Sequence, residues 1–445
     1  MNRESDASGN GGGDEPSREQ WGSRAGFILA AVGSAVGLGN MWRFSYLTAE
    51  NGGAAFLILY LVLVALVGLP VMLAEFVIGR GSGKSPIGAL AHYGGTRWKP
   101  LGALFLASGF LILSYYSVIA GWTLRYALTS LGGFEADAGA FFERVATGPA
   151  AIGWHLAFMT ITIGIVVSGV NRGIERASLI LMPMLFVIVC GLALYAATLE
   201  GAGAGYRFYL SVDMAEVMSF EVLSHAAGQA FFSLSLGMGA MLTYASYVKR
   251  DENLPNESLI IASADFGVAF IAGLAVFPLL FALGLDQQVG ESTVGALFIT
   301  LPGAFHEMGG AGRVVGVFFF VALAVGALTS ALSLLEVVVS TAIDQLGWPR
   351  RRAALLLGVA CALLGIPAAL DLDVLGRMDQ IAGTLFLVFG GLMLSIFVGW
   401  VKEDPVTEAR QGAEHVRWFF AWRGILRIVV PPLLAVVLWQ SLKAL

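Results

Sequence analysis

The chain of 445 residues is 57% hydrophobic and 13% charged, with a formal net charge of −5. A water-soluble domain does not carry that apolar fraction, so the chain reads as an all-α polytopic membrane protein. Its two cysteines, Cys190 and Cys361, lie in apolar runs, which argues against a disulfide framework and for buried bystander thiols.

Residues 1–17 are rich in Gly, Ser, Asp and Glu and read as a disordered tail. No cleavable signal pattern follows, so the first apolar segment is its own membrane signal. Eleven apolar segments run over 24–47, 54–79, 100–131, 151–170, 175–199, 219–248, 258–284, 313–345, 352–370, 377–401 and 418–442. Each has about the 20 residues that cross the hydrocarbon.

The first segment contains Gly33-Ser34-Ala35-Val36-Gly37-Leu38-Gly39-Asn40-Met41-Trp42-Arg43. Backbone freed by such glycines persists at membrane depth only where it faces protein, water or a ligand. The second segment carries Glu75, placed to cap freed N–H groups of a broken helix. The third carries Tyr115-Tyr116 near the midplane, where a phenol needs a partner. In the fifth, Gly173 and Pro183 read either as a hinge or as a glycine boundary with a tolerated proline. The sixth repeats the pattern of the first, with Gly237-Met238-Gly239 mid-membrane and Ser233 and Ser235 just before it.

Asp265 and Glu336, in the seventh and eighth segments, cost several kcal/mol if they face lipid and so face the interior with Glu75. In the eighth, the hydroxyls of Thr329-Ser330 either bond back to preceding carbonyls or ligate a cation. Arg43 and Asp379, near the outer ends of segments one and ten, suit a gating ion pair or an ordinary surface pair worth at most about 1 kcal/mol. The loop at 285–312 is either a lid, folding back at Pro302-Gly303, or a plain connection.

Breaks in segments one and six divide the chain into two five-helix halves, each opening on an interrupted helix. That arrangement points to a transporter site between the breaks. A broken helix offers N–H groups that suit a carboxylate and C=O groups that suit Na⁺. Nineteen of the 26 Lys and Arg fall on the side of the N-terminus and six on the other. The bias predicts a cytoplasmic N-terminus and, with eleven spans, a C-terminus on the extracellular or periplasmic side.

Taken together, Arg18-x-x-Trp21, Gly37-Leu38-Gly39-Asn40-x-Trp42-Arg43-Phe44, Glu50-Asn51-Gly52-Gly53, Ser233-Leu234-Ser235-Leu236-Gly237, Thr243-Tyr244-Ala245-Ser246-Tyr247 and Leu328-Thr329-Ser330 resemble the neurotransmitter:sodium symporter family, in its bacterial amino-acid-transporting branch. The likeness runs from Arg18 to about Trp400. It implies the LeuT-like fold of two inverted five-helix repeats. The chain would then divide into a tail (1–17), a first repeat (18–199), an extracellular loop (200–218), a second repeat (219–402) and a cytoplasmic loop with the eleventh span (403–445).

The resemblance also implies site roles. One sodium site would use Ala35, Asn40, Ser233 and Asp265; the other, Gly33, Val36, Gly326, Thr329 and Ser330. The substrate's carboxylate would meet the amides near Leu38-Gly39 and the Tyr116 hydroxyl, and its amino group Ala35 and carbonyls of the broken sixth helix, around Ser233. Ser34, Ile112, Phe232, Ser235, Met238, Ser330 and Leu334 would line the side-chain pocket. Arg43 with Asp379 would form the outer gate; Arg18, Trp21, Ser246, Tyr247 and Asp344 the inner one. Gly173 and Pro183 would let the fifth helix unwind. Members often have twelve spans, whereas eleven appear here. Chloride-dependent members carry a neutral amide in place of Asp265 and a serine one turn later, where this chain has Ala269, so transport is expected without chloride.

The expected activity is sodium-coupled symport of neutral hydrophobic L-amino acids across the cytoplasmic membrane, with no enzymatic chemistry, nucleic acid or obligatory protein partner. A proton-driven carrier of the same fold and a non-transporting sensor are the alternatives.

Overall fold

The structure, a computed structural model, describes residues 19–212, 220–285, 296–413 and 419–443; the tail and Arg18 lie outside them. Among the described residues every regular element is helical. Within these described residues nine helices are long and apolar enough to cross a membrane: Ala54–Ser82, Thr96–Gly132, Gly148–Val167, Val170–Ala196, Leu254–Ala282, Gly310–Leu346, Arg350–Leu370, Leu372–Val401 and Phe419–Lys443. Two further spans are interrupted. In the first, Arg24–Ala35 and Gly39–Glu50 meet at a 56° bend. In the sixth, Phe220–Ser233 is separated from Ala240–Ala245 by six non-helical residues.

These spans follow the eleven apolar segments in order, and the differences are at the ends. The third starts at Thr96, where Thr96-Arg97-Trp98-Lys99 extend the helix beyond its apolar stretch, and the eighth at Gly310, three residues ahead of Arg313. The tenth starts at Leu372, where Asp371 caps it by accepting from the amide of Asp373. Ser23 caps the first span by accepting from the amide of Gly26 at 2.9 Å.

The sixth-span break is set by left-handed backbone. Ser235, Gly237 and Gly239 have φ of 53°, 77° and 75°, and a Cβ on Gly237 would stand 2.2 Å from the Leu387 carbonyl oxygen. Only glycine fits there without strain. The long eighth span, Gly310–Leu346, packs along the third, the fifth and the first half of span one. It therefore sets its Thr329-Ser330 pair beside the first break.

The segment after residue 295 folds back rather than looping away. Ala296–Thr300 and Leu301–Glu307 are helical, Phe298 is buried against Trp122 and Phe142, and its carbonyl accepts from the Tyr126 hydroxyl at 2.7 Å. Side chains such as Ile180, Val187 and Leu194 on span five stay exposed, as lipid-facing residues do.

Candidate functional site

The two breaks enclose a cavity of about 30 Å³ lined by Ser34, Ala35, Gly37, Gly39, Ile112, Tyr116, Phe232, Ser235, Met238, Ser330 and Leu334. Ten of the twelve residues expected to bind substrate are among them. Leu38 lies behind the wall, its amide donating to the Tyr116 hydroxyl at 3.4 Å. Ser233 turns away and donates to both carboxylate oxygens of Asp265, at 3.0 and 2.9 Å. Gly37 is a lining residue missed in the sequence: a Cβ there would stand 2.5 Å from Ser330 Oγ and 3.0 Å from Tyr116 OH. No charged side chain lines the cavity.

Beside it, Asp265, fully buried, gathers the first oxygen cluster. Asn40 Nδ2 donates to Asp265 Oδ1 at 2.7 Å and to Ser233 Oγ at 3.1 Å, and Tyr60 OH donates to Asp265 Oδ2 at 3.1 Å. Asn40 Oδ1 accepts from the amide of Gly37 at 3.1 Å, which ties the cluster to the first break. The second cluster lies against span eight. Ser330 Oγ reaches the carbonyls of Gly326 at 3.1 Å, Ser34 at 3.2 Å and Gly33 at 3.4 Å, and Thr329 Oγ1 reaches that of Gly326 at 3.1 Å. The second cluster is an all-oxygen set of carbonyls and hydroxyls, a chemistry that suits a hard cation of low charge; the first combines one carboxylate and two hydroxyls with the Asn40 amide, whose Nδ2 rather than Oδ1 faces Asp265.

Glu75 takes the capping role that its position suggested. Its carboxylate, fully buried, accepts from the amides of Gly237 at 2.9 Å and Leu242 at 3.0 Å. Those donors belong to the break and to the start of the following half-helix, where N–H groups have no helical partner. Gln229 supports the first break in the same way, donating to the Gly39 carbonyl at 2.9 Å.

With this geometry in place, the comparison with known proteins is direct. The sodium:neurotransmitter symporter family matches residues 18–135 and 144–445. The chain belongs to that family. It is 34% identical to an uncharacterized sodium-dependent transporter, YhdH, of Bacillus subtilis (strain 168), over 94% of this chain and 96% of YhdH. A sodium- and chloride-dependent GABA transporter, ine, of Drosophila melanogaster is 27% identical, over 87% of this chain and 47% of its own. The crystal structure of MhsT in complex with L-phenylalanine superposes with a TM-score of 0.87 at 43% identity, covering 96% of this chain and all of that one. The chain is thus a multi-pass, sodium-coupled transporter with the LeuT fold.

In this symporter most of the residues expected at the two gates make polar contacts, but not all with the expected partners. At the Trp21 end, Trp21 Nε1 donates to the Tyr244 carbonyl at 2.9 Å and its amide to that of Tyr247 at 3.2 Å. Ser246 bonds back to Thr243, and Asp344 accepts from the Ser85 amide at 2.6 Å. A latch that the sequence reading did not assemble lies beside them. Glu336 accepts from Tyr247 OH at 2.6 Å and from Arg350 at 2.7 and 2.9 Å, and Arg350 also pairs with Glu19 at 2.9 Å. Glu175 adds a second tie, accepting from the Gly22 amide at 2.7 Å and Ser23 Oγ at 2.8 Å.

At the other end the expected ion pair is absent: among the described residues Arg43 and Asp379 are not within salt-bridge distance. Each is held by an aromatic instead. The Arg43 guanidinium lies 4.7 Å over the Phe232 ring, and Asp379 accepts from Tyr115 OH at 2.7 Å.

Span five begins with an irregular turn, Val170–Glu175, and continues helical through Pro183. A Cβ on Gly173 would stand 2.1 Å from the Ile165 carbonyl oxygen, so the turn requires glycine. Met182, next to the proline, reaches toward Gly33 at the second oxygen cluster: its Sδ would lie 3.2 Å from a Cβ there.

Proposed function

We propose that this transporter carries neutral, hydrophobic L-amino acids together with Na⁺ by alternating access, and does so without chloride. The observation that carries the reading is the pairing of an uncharged cavity with two buried polar clusters, one tied to its wall through the Gly37 amide and the other sharing Ser34 and Ser330 with it. An α-carboxylate fits the freed amides around Gly39 and the Tyr116 hydroxyl, and the ammonium group fits carbonyls of the two breaks. Acidic and basic side chains would lose their hydration with no counter-charge. Met238 is flexible enough to accommodate rings and branched chains. MhsT, with 43% identity, was solved with L-phenylalanine, which supports the same substrate class.

One Na⁺ is assigned to Ala35, Asn40, Ser233 and Asp265, and a second to Gly33, Val36, Gly326, Thr329 and Ser330. The Asp265 carboxylate supplies the fixed negative charge that chloride would otherwise bring. Arg43 and Asp379 close the outer side; Trp21, Ser246, Tyr247 and Asp344, with Arg18, close the inner side. Gly173 and Pro183 let span five loosen and expose the second ion. The N-terminus faces the cytoplasm, in line with the Lys and Arg bias. Substrate and Na⁺ bind cooperatively, with a coupling of about 1–3 kcal/mol.

The test is scintillation-proximity binding of labelled L-phenylalanine to the purified transporter in Na⁺ and in K⁺. Binding should require Na⁺ and be indifferent to replacement of chloride by gluconate. Equal binding in Na⁺ and K⁺ refutes sodium coupling; Na⁺-independent, pH-driven uptake identifies a proton carrier, and Na⁺-dependent binding without vesicle uptake a sensor.

A further inference from the structure

Span eleven, Phe419–Lys443, carries two arginines within its length, Arg423 and Arg427. Arg427 stands about 12 Å along the helix from Phe419. Charges at such depth are costly unless they find partners or reach the interface. Both guanidiniums turn to the end of span ten. Arg427 Nε and Arg423 Nε donate to the same oxygen, the carbonyl of Gly399, and Arg423 Nη2 also donates to the Lys402 carbonyl at 3.4 Å. The Gly399 carbonyl belongs to the last turn of span ten, where C=O groups lack helical partners. Glycine makes the approach possible, because a Cβ at Gly399 would stand 3.0 Å from Arg427 Cγ.

Capping accounts for only part of what this pair offers. A guanidinium has five N–H donors; Arg427 spends one on the span-ten carbonyls and Arg423 two. Two like charges converge on one oxygen, and among the described residues no carboxylate lies within salt-bridge distance of either. Asp404, which follows span ten, caps its own short helix, accepting from the Thr407 amide at 3.1 Å. Lys402, buried with its Nζ 3.8 Å over the Tyr93 ring, brings a third positive charge to the same turn. Both arginines are half-buried, and the side chains around them, Trp400, Phe420 and Ile428, are apolar and exposed. Phe420, Arg423 and Arg427 share one helix face. Arg410, in the connection before span eleven, stands 5.6 Å over the Phe420 ring. Exposed aromatics among cations at the end of a span mark the headgroup level of a membrane.

We propose that Arg423 and Arg427 form a binding site for the phosphate of an anionic glycerophospholipid, in the leaflet on the Trp21 side. The foot of spans ten and eleven lies on that side, because Arg80 bridges Glu408 at 2.8 Å and the Glu252 carbonyl, and Glu252 pairs with Arg24 at 3.8 Å. The planar guanidiniums take phosphate oxygens in bidentate geometry, and the acyl chains lie along Phe420 and Ile428. A headgroup of net negative charge is favoured, because the cations outnumber the acids that could neutralise them. Span ten also backs the sixth-span break: a Cβ on Gly390 would stand 2.5 Å from the Gly237 carbonyl oxygen. A lipid seated at its foot therefore braces the helix behind the cavity.

The experiment titrates the delipidated full-length transporter, in detergent, with dioleoyl phosphatidylglycerol or dioleoyl phosphatidylcholine and counts bound lipid by native mass spectrometry. The first phosphatidylglycerol should bind about tenfold more tightly than the first phosphatidylcholine. Arg423→Gln combined with Arg427→Gln should abolish that preference while L-phenylalanine still binds in Na⁺ as it does to the parent. Arg427→Lys keeps the charge and loses the fork, so it should weaken phosphatidylglycerol several-fold; it keeps the test decisive if the glutamine pair folds poorly. Excess inorganic phosphate should leave the lipid bound. Equal affinity of the parent for the two lipids overturns the proposal, as does an unchanged preference in the glutamine pair or in Arg427→Lys. Displacement by inorganic phosphate overturns the lipid assignment in favour of a free anion.

Discussion

Replacing Glu75 by glutamine should loosen the sixth-span break from a position outside the cavity lining. The carboxylate accepts two backbone N–H bonds, at 2.9 and 3.0 Å, in a fully buried site. Glutamine offers one carbonyl oxygen, so one amide keeps its acceptor and the other faces an NH₂ group. A hydrogen bond to a charged partner contributes about 1.5–3 kcal/mol, and an orphaned buried donor adds its own penalty. A net loss of about 2–4 kcal/mol follows, or roughly 30- to 700-fold in the equilibrium that holds the break in its binding-competent shape. Binding of L-phenylalanine in saturating Na⁺ should weaken by at least thirtyfold. Amide exchange at Gly237 and Leu242 should accelerate, while exchange in span nine stays as it was. An affinity within twofold of the parent, together with unchanged exchange at those two amides, would show that Glu75 does not hold the break.

Other outcomes follow from the same geometry. Asp265→Asn keeps the shape of the first oxygen cluster but removes its charge; Na⁺ affinity, read from the Na⁺ dependence of binding, should fall at least tenfold, and an unchanged value refutes the assignment. Pro183→Ala restores a donor within span five and should slow turnover several-fold with equilibrium substrate affinity unaltered; unchanged vesicle uptake rates remove the hinge.

Much of the site could be read from residue order because its physics is local. Glycine clusters at membrane depth mark freed backbone, and polar side chains at helical spacing around them can face little else. That is why Tyr116, Ser235 and Ser330 stood out before any coordinates, whereas Ser34 and Met238 came as pocket residues through the family resemblance. Glu75 was legible for a related reason: an acid inside an apolar helix needs donors, and breaks supply them.

What stayed hidden depends on how distant chain segments meet. Arg350 and Glu336 are joined by the turn that follows Leu346, and nothing in their fourteen-residue separation announces a bidentate pair. Glu175 finds Gly22 and Ser23 only because spans one and five cross at that end. Arg43 and Asp379 were expected to pair near the outer ends of their spans, and the aromatics that take them up instead could not be weighed from spacing.

The outer charges, held by rings rather than by each other, make the ligand's bulk a mechanical signal. Phe232 borders the cavity and also carries the Arg43 guanidinium on its face. An amino acid that lets the ring settle also lets the arginine settle; one too wide props the ring, and the cation stands off with it. Affinity and passage therefore separate with size. Oversized analogues should occupy the pocket tightly yet stall the cycle, so this aromatic defines the starting point for blockers.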